Sequence, residues 1–176
     1  MPVTAHHLIR RRQLILQAEG YLELGMPQHT LQVLSRCGNE GTLPDHALFL
    51  RGEAYRALGQ FQEALAPLKR AAESDPQNAN VWLSLGWCYK RTGRIDLAIE
   101  SLQEALSSEP KDSYVALLHY NLACYWSVAG NKRQALACLS RALALDPDFR
   151  DVIEREPDFD PIRTDPTFKS LTSVVV

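Results

Sequence analysis

The chain of 176 residues is 45% hydrophobic and 23% charged, and its formal net charge is −2. This length is typical of one domain, and the hydrophobic share is large enough for a continuous core. The nearly neutral charge argues against a nucleic-acid-binding module, which normally has a strongly basic face. Arg10, Arg11 and Arg12 form the one basic run. We interpret this run as the solvated face of a helix rather than a contact patch.

Two further features concern the cellular compartment. The N-terminal sequence lacks the basic start and apolar stretch of a secretory signal, and no apolar run approaches the ~20 residues of a membrane span. The four cysteines show no CxxC spacing; they are Cys37, Cys88, Cys124 and Cys138. Cysteines of this kind are expected to be reduced thiols. We therefore expect a cytoplasmic protein without membrane contact.

A block of 34 residues recurs in the middle of the chain. The first copy of its seven matching columns contains Gly52, Tyr55, Gly59, Ala64, Leu68, Ala71 and Pro76. The second copy contains Gly86, Tyr89, Gly93, Ala98, Leu102, Ala105 and Pro110. A period of this length indicates one supersecondary unit stacked on copies of itself. Such proteins present extended binding surfaces.

In chain order, residues 11–44 form a degenerate first repeat, in which Thr30 and Cys37 replace alanines of the pattern. Residues 45–78 form the second repeat and residues 79–112 the third. In the third repeat, apolar residues recur at helical spacing on both sides of Gly93, which can end a helix in the left-handed conformation. Pro110 closes the repeat, because proline cannot continue a helix interior. Each repeat is therefore predicted to be two antiparallel helices.

The fourth repeat, residues 116–149, is shifted by three extra residues near Lys111–Tyr114. We expect the insertion to lengthen the first helix of this repeat or its leading loop. Residues 150–176 no longer follow the period and are predicted to form a C-terminal cap. Within this region, residues 148–155 are predicted to be helical, residues 156–166 are too rich in proline to be helical, and Asp165-Pro166 opens a last short helix. The apolar edge of the last repeat should be covered by Phe149, Val152, Ile153, Phe159, Ile162, Phe168 and Leu171.

The residues of the third repeat resemble the tetratricopeptide repeat signature; they are Trp82, Leu85, Gly86, Tyr89, Gly93, Ala98, Leu102, Ala105 and Pro110. The final segment looks like the one that closes the stack in many bacterial members of this family. The resemblance extends from about Arg11 to Leu171. It implies an all-α fold, a right-handed superhelical stack of antiparallel helix pairs, in one domain over residues 1–176. Gly86 and Ala98 should lie where two helices approach most closely.

Sequence motifs of enzymes are missing, since the chain has no GxxxxGK[ST], GxSxG, HExxH or GxGxxG. Its five histidines are scattered, and the aspartates between Asp146 and Asp165 lack the glycine and glutamate spacing of a calcium loop. Capping and turn roles account for these aspartates. We therefore predict that the protein is not an enzyme and has no cofactor and no metal site.

The family resemblance implies that the first helix of each repeat lines a concave groove. In that register the first repeat contributes Arg12, Ile15, Glu19 and Leu22. The predicted partner-binding residues are His46, Phe49, Glu53, Arg56, Leu83, Trp87, Lys90, Arg91, Tyr120 and Cys124. Phe49, Trp87 and Tyr120 should face one shared surface. The alternative is that the chain's own ends cover this stripe.

The function predicted from these features is a protein–protein interaction module or adaptor that binds a peptide or helix of a partner in its groove. One alternative is a small secretion chaperone that holds an apolar segment of a client. Another is a self-assembling scaffold, because open ends of repeat stacks can associate weakly. The cations that grip a C-terminal carboxylate in chaperone-binding members of the family are missing, which argues against that partner class.

Overall fold

The computed structural model describes residues 5–38, 42–108, 110 and 112–173, so Lys111 and the last three residues of the predicted cap lie outside it. Every regular element in these residues is a helix, and the described part of the chain contains no β-strand. The predicted all-α fold is thus confirmed. The chain divides into two compact units, the first ending at Pro76 and the second beginning at Gln77. This boundary lies two residues before the predicted end of the second repeat.

The first unit contains four α-helices: α1 (Ala5–Glu23), α2 (Pro27–Ser35), α3 (Asp45–Ala57) and α4 (Phe61–Ser74). α1 packs against α2, and α3 packs against α4, so each predicted repeat is one helix pair. α3 also packs on both helices of the first pair. The interior is apolar and includes the fully buried side chains of Leu34, Leu48 and Leu68. Burying such side chains is the main source of stability in a unit of this kind.

The second unit contains two further helix pairs, α5 (Ala79–Arg91) with α6 (Ile95–Ser107) and α7 (Asp112–Val128) with α8 (Lys132–Leu145). α7 has 17 residues whereas α5 has 13, so the extra residues of the fourth repeat lengthen its first helix. A C-terminal segment follows, which we call the end segment (residues 147–173). It contains the 3-10 helix Pro147–Phe149, α9 (Arg150–Ile153), the 3-10 helix Pro157–Ile162 and α10 (Pro166–Thr172).

The proline-rich stretch differs from its prediction in one respect. It is predicted to be non-helical, yet it forms six residues of 3-10 helix between Pro157 and Ile162. Pro157 occupies the first turn, where a missing N–H has no cost, and the Glu156 carboxylate accepts a hydrogen bond from the Asp158 amide at 3.1 Å. The predicted start of the last helix is observed, since the Asp165 side chain accepts a hydrogen bond from the Thr167 amide at 2.8 Å.

The turn between the two helices of each repeat depends on a glycine in the left-handed region. Gly59 has φ 73° and Gly93 has φ 75°. After Gly93, the amide of Arg94 donates to the carbonyl oxygen of Tyr89 at 2.9 Å, which satisfies an acceptor at the end of α5. The predicted left-handed conformation of Gly93 is confirmed.

Two buried glycines allow close approach of the paired helices. A Cβ atom added to Gly86 of α5 would lie 3.2 Å from the backbone oxygen of Ala98 and 3.2 Å from Cδ2 of Leu102 in α6. In the first unit, a Cβ atom on Gly52 would overlap the side chain of Leu68. The predicted close approach at Gly86 and Ala98 is therefore confirmed, and no larger residue fits there without displacing a neighbour.

A half-buried histidine lies in the packed pair α7 and α8. Nδ1 of His119 is buried and has no hydrogen-bond partner among the described residues. Burial, and to a lesser extent the Arg141 guanidinium, lower the pKa of His119 below its ordinary value. The unfolded chain therefore takes up a proton at this side chain more readily than the folded unit does.

We expect Gly86→Leu to lower the free energy of unfolding by about 1–3 kcal/mol, because the added side chain separates α5 from α6. Gly20→Ala is the control. Gly20 lies inside α1, and an added Cβ there meets no atom within 4 Å. This change should raise stability by about 0.5–1 kcal/mol. Thermal unfolding followed by circular dichroism measures both. A Gly86→Leu variant that melts like wild type would contradict the close approach.

We expect the second unit to lose stability as the pH falls below about 6.5, the ordinary pKa of histidine, because only the unfolded state then binds a proton at His119 readily. His119→Gln should make this loss smaller, whereas His29→Gln, at an exposed position of α2, should leave it unchanged. Urea unfolding at a series of pH values between about 7 and 5 measures the effect. An equal acid sensitivity of wild type and His119→Gln would show that another group is responsible.

Candidate partner-binding surface

On the first unit, α3 presents four of the predicted site residues. His46, Phe49, Glu53 and Arg56 recur at spacings of three or four residues, which places them on one side of the helix. The Arg56 guanidinium donates to both carboxylate oxygens of Glu53, at 2.9 and 2.7 Å. Phe49 is half-buried. This part of the predicted surface therefore consists of a partly accessible ring beside a bidentate ion pair.

The side of α3 that contains His46 continues onto α1. Nε2 of His46 lies 3.4 Å from a carboxylate oxygen of Glu19. Next to this pair is an open cavity of about 450 Å³, which we call the α1 cavity. It is lined by Leu8, Arg11, Arg12, Ile15, Leu16, Glu19, Pro44 and His46. Four of these are predicted groove residues: Arg12, Ile15, Glu19 and His46.

Sequence reasoning missed Leu8 and Leu16, which line the same cavity. Leu8 precedes the first repeat, so the repeat register assigned it no role. A signal was nevertheless present, because Leu8, Arg12 and Leu16 follow one another at a spacing of four residues and must share one side of a helix.

On the second unit, α5 presents Leu83, Trp87, Lys90 and Arg91. Trp87 is 37% exposed and is the most exposed aromatic side chain in the described part of the chain. The Lys90 ammonium lies 5.7 Å from the centre of the Trp87 ring, within the range of a cation–π contact. Leu83 is half-buried and Arg91 is exposed. These four residues form an accessible aromatic and basic patch, which we call the Trp87 patch.

The remaining two predicted residues, Tyr120 and Cys124 of α7, are buried, with exposures of 8% and 2%. The 3-10 helix Pro157–Ile162 packs on α7. The Tyr120 ring stacks on Phe149 with ring centres 4.6 Å apart, and it packs edge-to-face with Phe159 with ring centres 5.8 Å apart. The groove was expected to be open here, but the end segment covers this face of α7. This agrees with the alternative that the chain's own ends cover the predicted stripe.

Charge holds the end segment in place as well. The Lys90 ammonium forms an ion pair with Asp158, although 68 residues separate the two in sequence. On α8, the Lys132 ammonium lies 2.8 Å from a carboxylate oxygen of Asp165. Within the segment, Arg163 donates to the carbonyl oxygen of Glu156 at 2.8 Å. Phe159 was predicted to cover the last repeat, but the pairing of Asp158 with α5 was not predicted, because the segment carries no repeat period.

Most of the predicted cap residues are covered. Ile153, Phe159, Ile162 and Phe168 are buried, and Phe149 and Leu171 are half-buried. Val152 is an exception. It is 49% exposed, since α9 has only four residues and its neighbour Ile153 takes the inward position. The predicted contribution of Val152 to the apolar cover is therefore wrong.

Potential metal-ligating groups meet beneath the end segment. The thiol of Cys124 and carboxylate oxygens of Glu156 and Asp158 lie within 4.8 Å of one another. Burial and the two carboxylates raise the pKa of the Cys124 thiol well above its usual range, so the thiol stays protonated at neutral pH. The Lys90 ammonium forms an ion pair with Asp158 beside this buried thiol.

Comparison with known proteins identifies the family. Two models described as "Tetratricopeptide repeat" match residues 55–122 and 116–149. Together these matches span more than half of the 176 residues. The chain belongs to the tetratricopeptide repeat family. No curated protein matches its sequence.

Solved structures with the same fold include MamA from Desulfovibrio magneticus RS-1, which is 18% identical with a TM-score of 0.71, covering 78% of this chain and 76% of MamA. YrrB, described as "a TPR protein with an unusual peptide-binding site", is 20% identical with a TM-score of 0.70 over 78% of this chain and 70% of YrrB. TTC0263 of Thermus thermophilus is 20% identical with a TM-score of 0.63, covering 86% of this chain and 85% of TTC0263. At these identities the likeness shows the fold alone.

None of the described helices is both long enough and apolar enough to cross a lipid bilayer.

We expect Cys124 to resist maleimide labelling in the native protein, because its thiol is buried under the end segment and protonated. Phe159→Ala should loosen the segment and speed the labelling of Cys124. Val152→Ala is the control, because Val152 is at an exposed position of the same segment. It should leave the labelling rate of Cys124 unchanged. Labelling at each cysteine can be followed by peptide mass spectrometry. Rapid labelling of Cys124 in the wild-type protein would contradict the cover.

Proposed function

We propose that this protein is a non-enzymatic adaptor that binds a peptide or a helix of a partner protein on the faces formed by the first helices of its repeats. Repeat proteins of this fold are interaction modules, and the peptide-binding site of YrrB, a protein with the same fold, supports this function. The observation that carries the proposal is the accessible indole of Trp87 on α5. A cytoplasmic location fits the four cysteines, none of which is in a disulfide.

Trp87 has the properties of an interface anchor. Tryptophan is enriched among the residues that dominate binding energy, because its large ring buries much apolar area with little loss of conformational freedom. The exposed part of the Trp87 ring contributes nothing to the core of the unit. The exposed guanidinium of Arg91 next to it can select the charge and the register of a ligand, whereas the Lys90 ammonium is paired with Asp158. The Trp87 patch therefore combines an anchor with an accessible cation at its margin.

The proposed surface differs from the predicted stripe on α7. Tyr120 and Cys124 are covered by the end segment, so we assign the accessible site on the second unit to Leu83, Trp87, Lys90 and Arg91. On the first unit, His46, Phe49, Glu53 and Arg56 form the corresponding face of α3. A single surface that includes both units stays a prediction.

We expect Trp87→Ala to weaken partner binding by about 2–4 kcal/mol, the cost typical of removing a central aromatic anchor. The variant should remain folded, because 37% of the Trp87 surface is already exposed to solvent in the folded protein. Leu97→Ala is a matched control: Leu97 is 38% exposed in the same unit but lies on α6, the second helix of its repeat.

The measurement begins with affinity capture from the source cells, compared between wild type, Trp87→Ala and Leu97→Ala, each with its melting temperature. A captured protein is then titrated against the three purified forms. If Trp87→Ala binds as tightly as wild type, or if it unfolds while Leu97→Ala does not, the indole belongs to the fold and the proposed function loses its support.

A further inference from the structure

We propose that the α1 cavity is a second docking site of the adaptor, and that its ligand is a partner segment in which acidic side chains neighbour large apolar ones. This inference rests on the proposed function and assigns the chemistry of one ligand. It also revises the interpretation of the basic run as a purely solvated face, since Arg11 and Arg12 line the cavity.

The apolar part of the cavity has no cover among the described residues. Leu8 is 55% exposed and Leu16 is 58% exposed, and both side chains line the cavity together with Ile15. Exposed leucines scattered singly over a surface need no explanation, but these lie together in a concavity. Its volume of about 450 Å³ is in the range of pockets that hold one ligand group. The site is thus suited to a large aliphatic or aromatic side chain.

The charges around the cavity favour an acidic ligand. Glu19, whose carboxylate lies 3.4 Å from Nε2 of His46, is the one acidic residue that lines the cavity, against the two guanidinium groups of Arg11 and Arg12. Arg11 donates through Nη2 to the carbonyl oxygen of Thr42, which holds its guanidinium in place, and its buried Nε has no acceptor among the described residues. Arg12 is exposed and has no carboxylate within ion-pairing distance in the described part of the chain. Two guanidinium groups therefore border the apolar floor, and a carboxylate complements them.

The second unit shows how first helices of this chain hold such a segment. There, Lys90 of α5 pairs with Asp158, and Tyr120 of α7 contacts the ring of Phe159. The bound element is an acidic residue followed directly by an aromatic one. The α1 cavity also combines a cationic group with an apolar surface. No segment among the described residues of the chain occupies it. We therefore commit to a partner segment with an acidic and a large apolar residue close together.

The test is a selection of random 12-residue peptides displayed on phage against the full chain, followed by titration of the synthesised peptides by fluorescence polarisation. The selected peptides should be enriched in Asp or Glu next to Leu, Ile, Phe or Trp. Arg12→Glu should weaken their binding by about tenfold or more, since it places a carboxylate against the ligand's own. Arg10→Glu makes the same charge change on the same helix, outside the residues that line the cavity, and should cost about threefold or less.

A second matched pair of variants tests how much the apolar side chains of the cavity contribute to peptide binding. Leu16→Ala should weaken binding about fivefold to tenfold, whereas Leu24→Ala should have no effect, because Leu24 is 74% exposed and does not line the cavity. Circular dichroism of all four variants checks that they are folded; these positions are exposed or half-buried, so unfolding is not expected.

Three results would overturn the inference. The first is a set of selected peptides that are basic or uncharged, and the second is an equal response to Arg12→Glu and Arg10→Glu. The third is binding that is lost in Trp87→Ala but kept in Arg12→Glu and Leu16→Ala, in which case the proposed function stands and the second site falls. If no peptide binds saturably to the wild-type chain, the inference fails, and the proposed function is decided by the titration of the captured partner.

Discussion

The structure depends on the distance between the two helices of each repeat. In the second and third repeats that distance is set where a glycine of the first helix faces a leucine of the second: Gly52 faces Leu68, and Gly86 faces Leu102. With the helices this close, side chains on the opposite side of the first helix cannot reach the core of their own pair. They are left for solvent or for another part of the chain. Trp87 is an example of the first case and Tyr120 of the second.

The sequence was a sufficient guide wherever the 34-residue period applied. Each periodic column combines a residue size with a packing role, so Gly86 and Ala98 could be placed at a close approach and Gly93 at a helix end. The same register placed Trp87 and Lys90 on a first helix, where the structure has them. Neighbouring copies of a repeat see the same environment, and the pattern is therefore informative without any knowledge of the three-dimensional fold.

The path of the end segment could not be predicted, because it has no period and its position depends on contacts with residues far away in sequence. The pairing of Lys90 with Asp158 and the contacts of Phe159 with Tyr120 follow from shape and charge in the folded unit. The sequence did indicate that Phe159 and Ile162 would be buried. It did not indicate which helix these two side chains would contact. The face of α7 that they cover was therefore expected to be open.

The contact of the end segment with α7 also has a consequence for the order of events during synthesis. A ribosome delivers the chain from its N-terminus, and repeats can pair as they emerge, because their contacts are mostly local. α7 leaves the ribosome before the residues that cover it, so the apolar side of Tyr120 and the thiol of Cys124 face water until Pro157–Ile162 follows. The nascent second unit thus passes through a stage in which an apolar surface is exposed to water. This surface becomes buried once Pro157–Ile162 has been synthesised and has packed on α7.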